Sequence, residues 1–340
     1  MSGASASTYI NRNLSHLKCS ETWQNSRDER YKAYRRNWHE YPKLRHVSEF
    51  PLHLDIDITN ACNLRCRMCA RTILGAEGKL PPTEFMDFEF FSGLVDQGVP
   101  RGLASVKLNF LGEPLMHPRV VDMVAYAKQA GVVDVMFNTN AMLLTPERSA
   151  ELLEAGLDSI FFSVDSIRKE TLEYIRAGAR LETVLGNIHA FLEARRLMGR
   201  QAVQVGVNMV LMEANAPELD EFLAYWTPLV DRVNWSFDHH YVFKDSAEAE
   251  LATAKARLDS FCCAQLWQRL IVCVDGTCLP CCLDANRELA VGNARVTPIH
   301  EIWQHSPRYE ALRRLHGQGR YQEITTCHAC PFSLDRGDTP

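Results

Sequence analysis

The sequence predicts an α/β fold: an open, partial (β/α)6 barrel followed by a small cysteine-bearing C-terminal region. Three observations predict it. Segments with strand periodicity alternate with helical segments six times between residues 52 and 240. Polar and special residues gather where strands end, which in barrels is where chemistry sits. The cysteines after residue 260 fall in a stretch too short and loop-rich to build a large core of its own. Six alternating units imply a parallel sheet with right-handed crossovers. They stop short of the eight of a closed barrel.

The elements follow in order. Residues 1–50 are polar and irregular, with a short helix expected in 27–38 (RDERYKAYRRNW). LHLDIDIT (52–59) alternates with period two and reads as a strand. Residues 85–99 read as a helix, 105–111 as a strand ending at Gly112, and 118–131 as a helix with a glycine stop. Residues 133–139 form a strand. The helix 145–156 has Thr145 as N-cap, Pro146 in its first turn and Gly156 at its end. Strand 158–164, helix 181–199, strand 203–211, helix 217–229 and strand 232–240 complete the series. Residues 250–260 look helical. IVCVDGTCLPCC reads as a hairpin turning at Asp275-Gly276, and VTPIHEIWQHSPRYEALRRLH as one or two helices. The expected division is an N-terminal extension (1–50), a core domain (51–245) and a C-terminal domain (246–340).

The 340 residues are 46% hydrophobic and 23% charged, the mixture of an ordinary globular protein. No apolar run approaches a membrane span, and the first residues lack the apolar core of a signal peptide. The expectation is therefore a cytoplasmic protein with no membrane partner. A net charge of −5 points away from a nucleic-acid partner.

There are twelve cysteines, unevenly spread. In a reducing compartment such clusters read as metal ligands or redox groups rather than disulfides. Cys62, Cys66 and Cys69 have the spacing C-x3-C-x2-C directly after the first strand. Three thiolates from one loop can hold three irons of a cubane and leave the fourth iron open. A structural zinc site normally takes four ligands in two pairs, and a fourth local ligand is missing. Glu113 follows a strand in a Gly-Glu-Pro turn. Asp55 and Asp57 share one face of the first strand, where carboxylates need partners or a substrate.

The C-x3-C-x2-C loop after a first strand resembles the signature of the radical S-adenosylmethionine (SAM) superfamily. The resemblance implies a TIM-like partial barrel with a SAM-binding catalytic 4Fe-4S cluster on those three cysteines. LGEP (111–114) resembles the element that meets the amino group of SAM, which points to Gly112 and Glu113. NTN (138–140) and SVD (163–165) resemble the segments that meet the ribose and the methionyl carboxylate, which implicates Asn138, Asn140, Ser163 and Asp165. Arg176, in YIRAG, is a candidate partner of that carboxylate. Met68 stands where the family often has an aromatic residue near the adenine, and it too can pack on a ring.

Cys263-x12-Gly276-x4-Cys281 followed by Cys327-x2-Cys330 resembles the SPASM/twitch extension of some radical SAM enzymes. CAQLW, VGNA and EIW share its texture. The resemblance implies a small C-terminal iron–sulfur domain with one auxiliary 4Fe-4S cluster on Cys263, Cys281, Cys327 and Cys330. Five cysteines remain: Cys19, Cys262, Cys273, Cys278 and Cys282. Cys282, or alternatively Cys278, is a candidate hydrogen-atom donor to a substrate radical. Asp238 is a candidate proton acceptor, and His239 and His240 follow the same strand. An electron donor such as flavodoxin or ferredoxin is an implied partner.

Relatives with this extension modify either peptides or small polar molecules. Peptide modifiers often carry an N-terminal peptide-binding domain longer than the stretch that precedes the first strand here. The single auxiliary cluster resembles butirosin-type aminocyclitol dehydrogenases and aminoglycoside epimerases. A small-molecule substrate is therefore favoured, a carbohydrate-like one, an aminocyclitol or a nucleoside, with oxidation or epimerisation as the reaction. The alternatives are a peptide- or protein-modifying maturase and, from another class, a non-catalytic zinc or iron–sulfur scaffold.

Overall fold

The computed structural model describes residues 23, 27–237, 261–328 and 330. Asp238, His239, His240, Cys19 and the helix expected at 250–260 lie outside the described residues. One nine-stranded sheet organises the rest. Its strands are β1 (His53–Ile56), β2 (Ser105–Lys107), β3 (Asp134–Thr139), β4 (Ser159–Ser163), β5 (Gln204–Leu211), β6 (Arg232–Phe237), β7 (Arg269–Val272), β8 (Thr277–Leu279) and β9 (Gly292–Asn293). Their order is β6-β5-β4-β3-β2-β1-β7-β8-β9. β1 to β6 are all parallel, as the alternating pattern predicts.

The C-terminal hairpin is not a detached unit. β7 pairs in parallel with β1, setting His53 against Arg269 and Asp55 against Ile271. β8 then turns back antiparallel to β7. Asp275 and Gly276 make that turn: Gly276 has φ +88°, and Asp275 accepts the Thr277 N–H at 3.0 Å. The sheet thus runs from the barrel strands into the region of the second cysteine group.

The helices are α1 (Glu29–Leu44), α2 (Ala70–Ala76), α3 (Phe88–Gly98), α4 (Val120–Ala130), α5 (Pro146–Glu154), α6 (Lys169–Ile175), α7 (Leu181–Leu197), α8 (Leu219–Trp226), α9 (Ile299–His305), α10 (Pro307–Gly317) and α11 (Thr325–His328). Thr145 caps α5 by accepting from Arg148 N, and Asp87 caps α3 by accepting from Phe90 N. That cap moves the start of α3 from the expected residue 85 to Phe88. α2 and α6 were not expected: each is only seven residues long, too short for a readable helical period. The second strand is also shorter than 105–111, because the chain leaves the ladder after Lys107.

The two faces of the sheet differ. Leu54, Ile56, Val106, Val135, Phe137, Ile160, Phe162, Val205, Val207 and Val233 point outward under the helices and are completely buried. Each such burial is worth about 1.5–3 kcal/mol, so this layer is a large contributor to the fold's stability. The alternate positions face inward and are mostly polar, His53, Asp55, Ser105, Lys107, Asn138, Ser163, Asn208 and Asn234 among them, with Met136, Phe161 and Ile271 as apolar exceptions. Several of these, from Lys107 to Asn234, keep partial solvent exposure. The concave side of the sheet is therefore a polar hollow rather than a packed core.

α1 extends beyond the short helix expected and lies across the N-terminal ends of the strands. Trp23, Tyr31, Tyr34, Leu52 and Val133 pack as one cluster there. Trp23 Nε1 donates to Ala202 O before β5 (2.7 Å), and Arg27 binds Asp158 before β4 (2.6 Å). Gln268, before β7, donates to Trp38 O (2.7 Å).

Candidate functional site

The cysteine loop leaves β1 at its C-terminal end, where its approach is pinned. Thr59 Oγ1 donates to Glu84 O (2.7 Å), Asn60 Nδ2 to Pro82 O (2.7 Å) and Arg71 Nε to Asn60 O (2.7 Å). The loop then lies against residues 175–177, with Arg65 N donating to Ala177 O and Arg67 N to Ile175 O, both at 2.9 Å. That pairing gives it a strand-like alternation. Leu64, Cys66 and Met68 are buried, while Asn63, Arg65 and Arg67 are exposed. Cys66 and Met68 share an apolar lining with Leu64, Ile175 and Ala179, and Cys62 and Cys69 pack against it.

LGEP meets this loop backbone to backbone. A Cβ at Gly112 would stand 1.9 Å from Thr59 O, so only glycine permits the contact. Glu113 N donates to Ala61 O (2.7 Å). The Glu113 carboxylate accepts from Thr139 Oγ1 (2.6 Å), Asn140 N (2.8 Å) and Leu115 N (3.2 Å). Burial nevertheless pushes its pKa up to about 7. Asp57 plays a similar part from β1, where its Oδ1 accepts from the backbone of Phe110 (3.1 Å) and Leu111 (3.0 Å). Burial raises Asp57 to about 6 despite those bonds.

Asn140 Nδ2 donates to Asn63 Oδ1 (2.9 Å), and Asn138 N to Asn109 Oδ1 (2.9 Å). Asp165 is completely buried; it accepts from Val210 N (2.8 Å) and pairs with Arg176 Nε at 2.7 Å. Arg176 Nη1 lies 3.8 Å from Cys66 Sγ. The structure thus brings Cys66, Met68, Gly112, Glu113, Asn138, Asn140, Ser163, Asp165 and Arg176 to one end of the strands. Arg176 is already engaged by Asp165, so the two act as a unit. Burial raises the Cys66 thiol to about 11 and also raises Cys62. Unbound, these groups stay protonated; a bound metal cluster would offset the cost of ionising them.

The donor chemistry fits an iron–sulfur cluster. The loop offers soft sulfur donors in an apolar lining, with an arginine beside one of them. Among the described residues no three His, Cys, Asp or Glu side chains converge on a single point, as one zinc ion would require. A cubane instead presents a separate iron to each thiolate.

The second group is assembled from three segments. Cys263 precedes β7, Cys281 and Cys282 follow β8, and Cys327 and Cys330 lie in and after α11. Cys263 is electrostatically coupled to Cys330, Cys282, Cys281 and Cys327. Burial pushes Cys263 and Cys327 up to about 12. Cys263 N donates to His316 Nδ1 (3.2 Å). Cys262 faces Arg45 instead. Cys273 and Cys278 are completely buried, as inert thiols would be, and Cys282 packs against the small apolar cluster that holds Cys273.

Cys282 is placed differently. Its pKa is lowered, first by its hydrogen bond with Cys281 and then by Arg269 and Lys107, against the cost of burial. Those cations belong to the inward face. Lys107 Nζ meets Asp55 at 2.6 Å and Arg269 Nη1 meets it at 3.2 Å. Burial opposes the Asp55 charge, but Lys107, Arg269 and His53 outweigh it and hold the carboxyl well below its usual range. Sequence reading raised Asp55 but missed Lys107 and Arg269. The available signal was Lys107 in register with Asp55, a charge on the inner side of a parallel strand.

The model of the radical SAM superfamily matches residues 56–239. The chain belongs to the radical SAM superfamily. The model of the SPASM iron–sulfur cluster-binding domain matches residues 262–331. Members use SAM and a 4Fe-4S cluster, with auxiliary iron–sulfur clusters in the SPASM region. A curated relative, the tungsten-containing aldehyde ferredoxin oxidoreductase cofactor-modifying protein of Pyrococcus furiosus, is 33% identical over 180 residues. That match covers 51% of this chain and 47% of the relative, about half its length.

Two solved radical SAM structures share the fold. BtrN in complex with AdoMet and 2-DOIA is 19% identical with a TM-score of 0.54, covering 84% of this chain and 94% of that one. Streptococcus suis SuiB bound to precursor peptide SuiA is 16% identical with a TM-score of 0.56, covering 83% and 71%. The chain is thus a radical SAM enzyme, and the non-catalytic scaffold is left without support. Among the described residues no helix is long and apolar enough to cross a membrane.

Proposed function

We propose that this radical SAM enzyme abstracts hydrogen from a small polar substrate, a sugar, aminocyclitol or nucleoside, for oxidation or epimerisation. The observation that carries the reading is the polar inner face of the sheet. Asn138, Ser163, Asn208 and Asn234 present amide and hydroxyl groups at partly exposed positions. Such groups suit a ligand with many hydroxyl or amino substituents. The BtrN complex holds 2-DOIA alongside AdoMet, which accords with this reading at the level of fold.

In this proposal Cys62, Cys66 and Cys69 hold the catalytic 4Fe-4S cluster, and Cys263, Cys281, Cys327 and Cys330 hold one auxiliary cluster. When bound, the catalytic cluster supplies the electron that splits SAM into methionine and a 5′-deoxyadenosyl radical. The chain's own residues position and shield. Glu113 and Asp57 clamp the LGEP backbone against the cysteine loop. Asp165 holds Arg176 beside Cys66, where the guanidinium offsets thiolate charge. Met68 and Leu64 keep water from the loop's inner side. Cys282, beside Lys107 and Arg269 on the inner face, is proposed to return a hydrogen atom to a substrate radical from its protonated form, which the lowered pKa makes the scarcer one at neutral pH. Asp238 remains a proposed proton acceptor.

The test is deuterium transfer. Candidate substrates deuterated at ring carbons are incubated with SAM and reductant, and label is sought in 5′-deoxyadenosine. Label from an aminocyclitol or sugar supports the proposal. Label only from peptides would replace it with a maturase. Unchanged product stereochemistry and full turnover in Cys282→Ala would remove the hydrogen-donor role.

A further inference from the structure

The cysteine loop has an outer side that the chemistry above does not use. Its alternation buries Cys66 and turns Arg65 and Arg67 to solvent. The segment 174–180 pairs with the loop along its backbone and adds two further exposed groups. Tyr174 is 54% exposed, and Arg180 is exposed. Arg67 binds the segment directly: its Nε donates to Tyr174 O at 2.8 Å, and its guanidinium lies 4.0 Å from the Tyr174 ring centroid.

Neither segment contains an acidic residue across 62–69 or 174–180. Arg176, the remaining cation there, is turned inward and paired with Asp165. Among the described residues Arg65 and Arg67 form no ion pair, and Arg180 lies near Glu182. Their neighbours are different. Arg168 pairs with Glu221, and Lys169 with Glu173 and Glu182. On a chain of net charge −5 this face carries two arginines without an acidic partner, Arg65 and Arg67, and a third, Arg180, that shares Glu182 with Lys169. One layer of backbone separates it from Cys66.

We infer that the outer face of these two loops, built from Arg65, Arg67, Arg180 and Tyr174, is the docking surface for an acidic one-electron carrier protein. The inference rests on the assignment of the catalytic cluster to Cys62, Cys66 and Cys69. The electron balance is simple. The carrier is oxidised by one electron for each SAM whose sulfur–carbon bond is broken, and no proton is exchanged in that step. Positive groups around an exposed tyrosine steer an acidic partner and leave an apolar contact at the centre. The short path to Cys66 makes this the side on which a large donor gains most by approaching.

The experiment compares two reductants on the full-length reconstituted enzyme. One is reduced flavodoxin, an acidic carrier. The other is dithionite, small enough to need no docking surface. The charge-reversed variant Arg65→Glu/Arg67→Glu/Arg180→Glu is compared with Arg65→Gln/Arg180→Gln, which spares the Arg67 bond to Tyr174. Formation of 5′-deoxyadenosine with dithionite is expected to be unchanged in both. The flavodoxin concentration for half-maximal rate is expected to rise on the order of tenfold in the charge-reversed variant, with loss of salt sensitivity. The neutral variant is expected to fall between it and wild type. Equal loss with both reductants, or no change with flavodoxin, would overturn the docking surface. Absence of dithionite-driven cleavage in the wild type would overturn the cluster assignment beneath it.

Discussion

The two cysteine groups are built in opposite ways. The first comes from one eight-residue loop, seated among apolar side chains with Arg176 beside it. The second is gathered from the start of β7, the end of β8 and the last helix, beside the Asp55–Lys107–Arg269 cluster. The first is a local motif that the fold carries to the strand ends. The second exists only once the sheet has been extended past β1 and the C-terminal helices have packed. On the proposed assignment, generating a radical needs one fixed geometry, which a short loop can supply. Handling a substrate varies between enzymes, and an assembled region can vary by parts.

The largest expected effect would separate the two groups functionally. Cys66→Ala should abolish SAM cleavage while leaving iron bound by the second group. Cys263→Ala should retain SAM cleavage yet lose substrate turnover. Iron analysis and 5′-deoxyadenosine yield measure both. Loss of cleavage in Cys263→Ala would show that the two groups are one functional unit.

Next in size is the charge cluster that distinguishes the second region. Asp55→Ala leaves Lys107 and Arg269 facing each other without their shared anion in a mostly buried place. A loss of about 3 kcal/mol is expected in chemical denaturation. An unchanged midpoint would mean that solvent in the hollow already compensates the pair.

A comparable effect should appear as a pH dependence at Asp57. Burial lifts its native pKa to about 6 from an ordinary 3.8. The native state therefore keeps this proton longer than the unfolded chain does. Its contribution to stability is complete below pH 3.8 and is lost as pH rises through about 6, by about 3 kcal/mol. Asp57→Asn cannot ionise, so the difference in stability between the variant and wild type should shift in the variant's favour across that window. Parallel pH profiles would contradict it. The smallest effect belongs to the surface: Lys169→Met removes exposed pairs with Glu173 and Glu182 and should leave the denaturation midpoint where it was.

The barrel strands and their helix caps were legible because each rests on local physics. Thr145-Pro146 begins a helix, and alternating valines and isoleucines fit between a sheet and its helices. The first cysteine loop was legible for the same reason. The pairing of β7 with β1 was not, because a four-residue strand beginning at Arg269 shows nothing of which edge it will join. For the same reason Arg269 could not be matched to Asp55 in advance. Asp165 and Arg176 were both raised as candidates, but their pairing depends on a contact between the end of β4 and the end of α6 that no spacing encodes. α1 shows a third limit. The sequence suggested only a short helix over 27–38, whereas α1 runs to Leu44, its aromatic side chains packed on the sheet ends.

That helix also bears on traffic. Among the described residues Trp23, Arg27 and α1 cover the N-terminal ends of β3, β4, β5 and β7. On the proposed function, cofactor and substrate are then expected to approach from the C-terminal ends of the strands, where the cysteine loop lies.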